Sequence, residues 1–312
     1  MKTAKIRILW TMLSCGMALL FGVYVLLDTF LLARVEGSVQ SENLSMFAAE
    51  AAAAQTQTES AAQKTLAQAA ENLVYSDENV SIALNQYRVY DTDVYVAEVW
   101  LSSAQYLKTA LAQNSYGKNV TAKTSEMAAE NGAILAINGD YYGAKESGYV
   151  IRNGVVYRDY GSSDTDVLCV YADGSFAITN SAEASARELA EQGVWQAFSF
   201  GPGLVENGEI TVTEAEEVGK AKASNPRTAI GWIDGLHYVF VVSDGRTEQS
   251  EGLSLYQLAS FLKELGVQTA YNLDGGGSST MVINGEIINN PTTGGSRTKE
   301  RSVSDIVYIA ST

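Results

Sequence analysis

Residues 272–280, which read N-L-D-G-G-G-S-S-T, combine residue types that could do chemistry. One carboxylate, Asp274, is followed by three glycines and three hydroxyl side chains, and strand-like runs lie on both sides. A glycine run costs backbone entropy on folding, so such a run usually has a steric or functional reason. A tight turn between strands is one explanation, and a loop whose backbone closely approaches a ligand is the other.

A second acidic motif has similar surroundings. Asn138, Gly139 and Asp140 follow the apolar run A-I-L-A-I, and Asp274 follows V-Q-T-A-Y-N-L. A short helical segment that ends in glycine precedes each run. Two parallel strands of one sheet would bring the loops that follow them to the same end, where α/β sheets bind ligands. The repeat therefore predicts that the two motifs lie together.

A third group of polar residues flanks a predicted hairpin. The Asp-Gly turn at Asp234 and Gly235 joins two apolar runs, which is a strong hairpin signal. Counting back from this turn places Arg227 near Val242 across the hairpin. The residues that then gather at its open end are Asn225, Arg227, Asp244 and Arg246. Solvated hairpin ends would show the same spacing, so the cluster alone leaves both explanations open.

The elements that must position these residues are mostly strands. Asn-Gly turns at 153–154 and 284–285 predict two further hairpins, and alternating apolar runs around residues 88–100 predict another. A helix is predicted between Ser254, which can cap its start, and Gly266, which ends it. These signals predict an α+β fold class: a mixed sheet with several hairpins and few short helices, preceded by an N-terminal transmembrane helix.

The N-terminus carries the signals of a membrane anchor. Lys2, Lys5 and Arg7 precede an uncharged run of twenty residues, 8–27, which would span about 30 Å as a helix. Basic residues before the span predict a single-pass protein of the cell membrane, with a cytoplasmic N-terminus and an extracytoplasmic C-terminal domain. A cleaved signal peptide is the alternative, but its apolar core is usually shorter, at about 7–15 residues.

Composition divides the chain into three parts. Residues 1–34 form the predicted cytoplasmic tip and anchor, residues 35–80 an Ala/Gln/Ser/Thr-rich, partly helical stalk, and residues 81–312 the folded domain. Residues 35–312 carry 17 basic and 35 acidic side chains, which argues against nucleic acid as a partner. The chain has two cysteines and one histidine, which leave little material for a disulfide framework or a Ser-His-Asp triad.

Six motifs together resemble the phosphodiester glycosidase family. In chain order they are N-G-D-Y-Y-G, S-F-G-P-G-L-V-E-N-G, N-P-R-T-A-I-G, S-D-G-R, N-L-D-G-G-G-S-S-T and E-R-S-V-S-D, within residues 81–312. The resemblance implies a hydrolase that cuts a sugar-1-phosphodiester, such as an N-acetylglucosamine-1-phosphodiester, at the anomeric C–O bond. Many bacterial members are labelled exopolysaccharide biosynthesis proteins, so a cell-envelope glycan is the expected substrate.

This reaction needs a carboxylate at the anomeric carbon and positive charge at the departing phosphate. A carboxylate there would act as nucleophile or base. The candidates for this role are Asp274, Asp140 and Asp244. Arginine suits the second task because its fork binds phosphate oxygens in pairs. The expected phosphate ligands are Arg227, Arg246 and Arg301.

The glycine loop acquires a function in the same scheme. The backbone N–H groups of Gly275, Gly276 and Gly277 would form an anion-binding nest beside Asp274. The remaining candidates for substrate binding are Asn138, Gly139, Ser278 and Ser279. A sugar phosphate would then reach the main chain itself, which explains why the loop lacks side chains.

No cofactor is expected to be required. Asp and Asn oxygens suit Ca²⁺ or Mg²⁺. A divalent cation is therefore the cofactor to test for, and the sequence does not indicate which residues would bind it. The expected partners are a glycan or sugar-phosphate substrate and the membrane. The rival hypothesis is a non-catalytic envelope protein that binds polysaccharide or helps to assemble it.

Overall fold

The computed structural model describes residues 2–47, 72–161, 165–215, 224–293 and 297–310. Four α-helices lie within these residues. They are α1 (Lys2–Phe30), α2 (Thr124–Glu130), α3 (Ala186–Glu191) and α4 (Leu255–Glu264). Apart from α1 they are short, and strands make up most of the regular structure of the folded part. The prediction of an α+β fold with few short helices is confirmed.

The described strands are numbered along the chain. They are β1 (Arg34–Ser38), β2 (Leu73–Ser76), β3 (Val80–Val89), β4 (Thr92–Leu101), β5 (Leu107–Leu111), β6 (Ser115–Lys118), β7 (Ala122–Lys123), β8 (Leu135–Asn138), β9 (Val150–Arg152), β10 (Val155–Arg158), β11 (Asp166–Tyr171), β12 (Phe176–Asn180), β13 (Val194–Phe198), β14 (Gly203–Glu206), β15 (Glu209–Ile210), β16 (Thr228–Asp234), β17 (His237–Ser243), β18 (Thr269–Leu273), β19 (Met281–Ile283), β20 (Glu286–Ile287), β21 (Thr292–Thr293), β22 (Arg297–Thr298), β23 (Ser302–Val303) and β24 (Asp305–Ile309).

Three larger sheets enclose a common core. One has eight strands in the order β15-β14-β18-β16-β17-β4-β3-β2, and two have five, in the orders β10-β9-β13-β11-β12 and β20-β19-β8-β24-β5. Their inner faces contribute a single cluster of buried apolar side chains, such as Phe240 from the first sheet, Phe198 from the second and Ile137 from the third. Burial of this apolar surface is the main force that holds the sheets together.

A short helix covers the outer face of each sheet. Leu258 and Phe261 of α4 pack on the eight-stranded sheet, and the capping box of Ser254 and Gln257 fixes the start of this helix as predicted. Met127 of α2 packs on the sheet that contains β8, and Leu189 of α3 on the sheet that contains β9. The three helices therefore cover the outer faces of the sheets. The loops that connect the strands are the part of the fold that can form a site.

The two acidic motifs do not follow parallel strands of one sheet. Strand β8, before Asn138 and Asp140, lies in a five-stranded sheet, whereas β18, before Asp274, lies in the eight-stranded sheet. The loops nevertheless meet, because the Asp274 N–H donates to the Gly139 carbonyl at 3.2 Å. The premise of a shared parallel sheet was wrong, and the predicted meeting of the motifs is observed between two sheets.

The hairpin at Asp234 and Gly235 is present with a register one residue away from the prediction. Asp234 pairs with His237, so Gly235 and Leu236 form the turn in place of Asp234 and Gly235. With the further register shift between Trp232 and Asp234, Thr228 and not Arg227 lies opposite Val242. Such a bulge places an extra residue on one strand and cannot be counted from the turn alone. Arg227 therefore precedes the paired residues.

Both described ends of the predicted stalk lie against the folded domain. Strand β1 pairs with β6, and β2 pairs with β3 at the edge of the eight-stranded sheet. The rest of the predicted stalk, residues 48–71, lies outside the described residues. The domain boundaries thus stay predictions, but residues 34–47 and 73–80 pack with the domain.

Helix α1 contains one segment, Trp10–Phe30, that is long and apolar enough to cross a membrane, with a mean hydropathy of 1.9 over its most apolar window. Twenty-one helical residues rise about 30 Å, which matches the hydrocarbon core. A signal sequence near the N-terminus meets the same criteria of length and composition.

Candidate active site

A cavity of about 220 Å³ opens beside the Asp274 loop, at one end of the eight-stranded sheet. Its walls come from the loop before β14, the segment before β16, the loops after β17 and β18, and the segment before β23. The lining residues are Phe200, Asn225, Arg227, Arg246, Asn272, Asp274, Gly275, Gly276 and Arg301. Four predicted side chains, those of Asp274 and the three arginines, therefore share one cavity.

Asp274 is the carboxylate of this cavity wall. The residue is only 7% exposed, and its Oδ2 accepts hydrogen bonds from Ser278 Oγ at 2.5 Å and Arg301 Nη2 at 3.0 Å. Arg301 Nε also donates to Ser278 Oγ at 2.9 Å, which closes a ring of three side chains. Burial raises the pKa of Asp274 above its usual value, and the charge of Arg301 opposes that rise.

The glycine loop is bare for steric reasons as well as for access. A Cβ on Gly275 would lie 2.8 Å from the Pro226 carbonyl oxygen, and one on Gly276 would lie 2.8 Å from Arg246 Nη2. Gly276 also has a φ of +62°, a conformation that favours glycine. The two glycines therefore allow the loop to pack beside Pro226 and Arg246 while both face the cavity.

The predicted backbone nest is only partly available to a ligand. The N–H of Gly276 donates to the Pro226 carbonyl at 2.8 Å, and the N–H of Ser279 donates to the Gly276 carbonyl at 3.2 Å. Gly277 is buried against Thr293 and does not line the cavity. Since the Gly276 donor is already used, positive charge for an anion must come chiefly from the arginine side chains.

The three arginines line the cavity, and two of them, Arg246 and Arg301, repel each other. Arg227 is buried, and its Nε donates to the Leu253 carbonyl at 2.8 Å. Arg246 directs Nε and Nη2 to the Asn225 side-chain oxygen, at 3.2 and 2.9 Å. Burial lowers the pKa of Arg246, and the positive charge of Arg301 lowers it further. A bound anion would relieve this repulsion.

Asn138 is placed behind the cavity and joins the two acidic loops. Its side chain is fully buried, and its Nδ2 donates to the Asp274 carbonyl oxygen at 2.6 Å. Its Oδ1 accepts from Thr228 Oγ1 at 2.9 Å, and Thr228 in turn contacts Ser279 Oγ at 3.2 Å. Asn138 and Ser279 therefore position the Asp274 loop, and neither lines the cavity.

Asp140, predicted as a catalytic carboxylate, is held in a buried ion-pair cluster. Its Oδ1 lies 2.8 Å from Arg152 Nη2, and the same nitrogen lies 2.8 Å from Asp305 Oδ2. All three side chains of this cluster are buried. Gly139 is required beside it, since a Cβ there would overlap the Asp305 carboxylate. Asp140 and Gly139 thus support the site without lining it.

Asp244 is also turned away from the cavity. Its Oδ1 accepts from the Asn290 N–H at 2.8 Å, and its Oδ2 accepts from Asn290 Nδ2 at 3.0 Å. Asp244 is buried, so it orders the loop that carries Asn289 and Asn290. The sequence placed it near Arg246 correctly, but the spacing gave no sign of which way the carboxylate points.

Two cavity features were not predicted. Phe200, in the loop before β14, forms part of the wall, and the ammonium of Lys145 lies 4.7 Å above its ring. Burial lowers the pKa of Lys145, and the charges of Asp140 and Asp274 oppose that shift. Asn272 also belongs to the cavity wall, and its buried Oδ1 has no hydrogen-bond partner among the described residues.

Metal ligands are not concentrated in the described residues. Within them, no three His, Cys, Asp or Glu side chains come together as a metal site would require. Each candidate aspartate is instead paired with donors: Asp274 with Arg301, Asp140 with Arg152 and Asp244 with Asn290. The expectation that no cofactor is required stays a prediction.

Comparisons with a family model and with individual proteins point to the same family. Residues 131–310 match the family model described as phosphodiester glycosidase. The mouse N-acetylglucosamine-1-phosphodiester alpha-N-acetylglucosaminidase is 28% identical over 185 residues, 54% of this chain and 35% of that protein. The SPbeta prophage-derived protein YomE of Bacillus subtilis is 30% identical over 189 residues, 59% of this chain and 29% of that protein. The chain thus spans about a third of the length of these relatives.

A solved structure shares the fold. The zebrafish N-acetylglucosamine-1-phosphodiester alpha-N-acetylglucosaminidase catalytic domain, auto-inhibited by its pro-peptide, superposes with a TM-score of 0.61 at 20% identity. The match covers 92% of this chain and 99% of that one. At this identity the likeness concerns the arrangement of strands and helices, and the chemistry has to be argued from the cavity.

Proposed function

This chain belongs to the phosphodiester glycosidase family, and on that premise we propose that it hydrolyses a sugar-1-phosphodiester at the anomeric C–O bond. The products are a free sugar and a phosphomonoester. The names of the mammalian relatives favour N-acetylglucosamine as the sugar. The phosphate-bearing partner belongs to a glycan of the cell envelope.

One observation carries the proposal: three arginines and one carboxylate line the same small cavity. Arg227, Arg246 and Arg301 together with Asp274 give the wall a formal charge of +2, which suits an anionic substrate. The volume of about 220 Å³ is below the range of about 300–1,000 Å³ typical of drug-sized ligands. It therefore suits a single sugar and its phosphate more than a long oligosaccharide.

Asp274 is the residue we assign to the anomeric carbon. Many glycosidases use two carboxylates, one of which protonates a poor leaving group. A phosphate leaves readily once its charge is stabilised, so a single carboxylate, as nucleophile or base, is sufficient here. Ser278 and Arg301 hold Oδ2 of Asp274, which leaves its other oxygen for the reaction.

The arginines serve the leaving phosphate. Arg246 lies against the Gly276 backbone, and Arg227 lies in the wall formed by the segment before β16. A guanidinium can donate two parallel hydrogen bonds to phosphate oxygens, and these strengthen as negative charge develops during departure.

Helix α1 is the basis for the proposed cellular location of the protein. We infer from Lys2, Lys5 and Arg7 that the N-terminus is cytoplasmic and that the catalytic domain lies outside the membrane. An uncleaved anchor is favoured because the apolar run is longer than the core of a typical signal peptide. The substrate is then a glycan that the domain meets on the outer side.

The reaction can be tested on full-length protein in detergent with UDP-N-acetylglucosamine as a surrogate substrate. Cleavage of the C–O bond yields free sugar and UDP, whereas cleavage of a P–O bond yields sugar-1-phosphate and UMP. In ¹⁸O-labelled water, the heavy oxygen is expected in the sugar. Label in the phosphate would exclude the glycosidase mechanism.

Asp274→Asn is the matched variant for this measurement. It keeps the size of the side chain, but an amide can act neither as nucleophile nor as base, so label incorporation into the sugar should disappear. Asp173→Asn, in the turn between β11 and β12, serves as the control. Asp173 is exposed, and its hydrogen bonds to Ser175 stay within its own turn. If the protein turns over no phosphodiester of a broad panel and yet binds glycan, the non-catalytic envelope protein is the better description.

A further inference from the structure

The chain is tied to the folded domain as soon as it leaves helix α1. Only residues 31–33 separate the end of α1 at Phe30 from the start of β1 at Arg34. Strand β1 pairs antiparallel with β6, so that Arg34 lies opposite Lys118 and Ser38 opposite Ser115. A Cβ on Gly117 would lie 1.9 Å from the Arg34 carbonyl oxygen, so this pairing requires a glycine.

A side chain of the domain reaches the end of the helix itself. Asn119, directly after β6, donates its Nδ2 to the carbonyl oxygens of Thr29 and Leu32, at 3.3 and 3.2 Å. These carbonyls belong to the last turn of α1 and to the residues that follow it, where helical partners are absent. Asp28 and Arg34 form an ion pair beside them. The helix end and the domain therefore share one hydrogen-bonded junction.

Beyond β1 the chain continues along the domain as far as residue 47. We call residues 34–47 the strap. Its contacts include the Glu42–Lys108 ion pair at 3.1 Å, a bond from the Asn43 N–H to the Asn153 carbonyl at 3.0 Å, and an edge-to-face contact of Phe47 with Trp195 at 4.9 Å. The strap ends on the domain, and β2 begins on the domain at Leu73. The described residues on both sides of 48–71 therefore lie on the domain.

These positions fix how far the domain can lie from a membrane that α1 crosses. The uncharged run 8–27 fills a hydrocarbon core of about 30 Å, so Asp28 and Arg34 mark its boundary. Three residues span at most about 10 Å when fully extended. Because Asn119 bonds directly to Thr29, the surface around β6 lies within the headgroup layer.

Exposed apolar side chains continue past the end of the helix. Phe30, Leu31, Leu32 and Val35 have relative exposures of 69, 72, 45 and 62%. An apolar patch of this kind on a folded protein commonly marks an interaction site. Here it is continuous with the proposed span, so lipid is the occupant that matches it.

We propose that the domain works while seated on the outer lipid surface, with the strap and Asn119 fixing its height and orientation. The Ala-rich residues 48–71 then do not separate the domain from the membrane. The proposal rests on the proposed spanning role of α1 and is independent of the chemistry assigned to Asp274. It places the substrate among glycans that are held close to the membrane.

The test compares one insertion at two positions. A flexible Gly/Ser linker of twenty residues, with a root-mean-square length of about 25 Å, is inserted either after Ala33 or within residues 51–60. A fluorophore on Glu146→Cys reports the distance to quencher-labelled headgroups in nanodiscs. Glu146 is exposed and pairs with Lys118 of β6. Cys15 is replaced by Ala, and Cys169 stays because burial raises its pKa to about 12 and keeps it unreactive.

The two insertions are expected to differ. The fluorophore should be strongly quenched in the parent protein and in the variant with the linker within 51–60. Insertion after Ala33, combined with Asn119→Ala because the Asn119 bonds to Thr29 and Leu32 lie before the insertion, should lose most of that quenching. Only there does the linker separate the helix from the domain. Weak quenching in the parent, equal losses in both variants, or release of a mature form without α1 would each overturn the proposal. Turnover of the surrogate substrate in each variant shows separately whether the enzyme is active.

Discussion

Arg227 is buried in the cavity wall. Replacing it with lysine keeps the positive charge but removes the planar guanidinium group, which can donate two parallel hydrogen bonds. Arg227→Lys should lower kcat/KM by about 10- to 100-fold, since a hydrogen bond to a charged group contributes about 1.5–3 kcal/mol. Arg187→Lys is the matched control, because Arg187 is exposed and its ion pair is with Asp159, away from the cavity. Near-normal turnover by a folded Arg227→Lys protein would remove this residue from the phosphate site.

We expect the buried carboxyl group of Asp305 to make the free energy of unfolding depend on pH. Burial, with a further contribution from Asp140, raises its pKa to about 7, although Arg152 opposes the rise. The unfolded chain releases this proton near about pH 3.9. Between these values the native state binds more protons than the unfolded state, so stability falls as pH rises from about 4 to about 7.

The melting temperature across this range provides the measurement. Asp305→Asn should flatten the fall, because an amide has no proton to release. Asp234→Asn, at the exposed end of β16, should leave the slope as it is. A slope that is the same in all three proteins would show that Asp305 is ionised in the native state throughout the range.

At the scale of single residues, the sequence predicted which charged residues gather near the site. It did not predict which of their side chains face the cavity. Asp274, Arg227 and Arg246 each stand next to a glycine or proline, and they reach the cavity together with Arg301, which has no such neighbour. Asp140 and Asp244 also stand next to a glycine, yet neither of them lines the cavity. Their partners, Arg152 and Asn290, are distant in the chain or placed by a loop, and spacing does not encode such contacts.

At the scale of elements, the glycine loop combines two constraints that can be separated. Gly276→Ala introduces strain at a φ of +62° and also pushes Arg246, whereas Gly285→Ala introduces strain at a φ of +83° with nothing within 4 Å. Each change should cost about 1 kcal/mol or more of stability through the backbone alone. The activity of the Gly276 variant should fall in addition, because the Arg246 guanidinium is displaced.

Chemical denaturation and steady-state kinetics on both variants check this prediction. The Gly285 variant should keep its turnover while losing stability. Equal turnover in the two variants would mean that Arg246 tolerates the methyl group, and that the loop is bare only for its backbone conformation.

Local signals predicted local elements well. The Asn-Gly hairpins β9–β10 and β19–β20 and the capped helix α4 are present where turn and capping residues place them. Pairing between distant segments was not predictable in the same way. The separation of β8 and β18 into two sheets, and the bulge that shifts the β16–β17 register, depend on how whole faces pack against one another.

At the scale of the whole molecule, the direction of the chain across the membrane is the prediction to check first. Protease added to intact cells should degrade the domain, because the basic residues before α1 keep the N-terminus inside. A tag fused to the N-terminus should remain protected in the same cells and serves as the internal control. Protection of the domain would show the opposite orientation.

The pairing of β1 and β2 with the domain also bears on where the protein can be shortened. A soluble version that begins at residue 81 would remove both strands and the first residue of β3, and would leave the rest of β3 with an open edge. Unpaired edges recruit strands from other molecules, so such a protein should aggregate or exchange segments between copies. A version that begins at Arg34 keeps its own edge partners, and secretion behind a removable leader should yield it as a monomer.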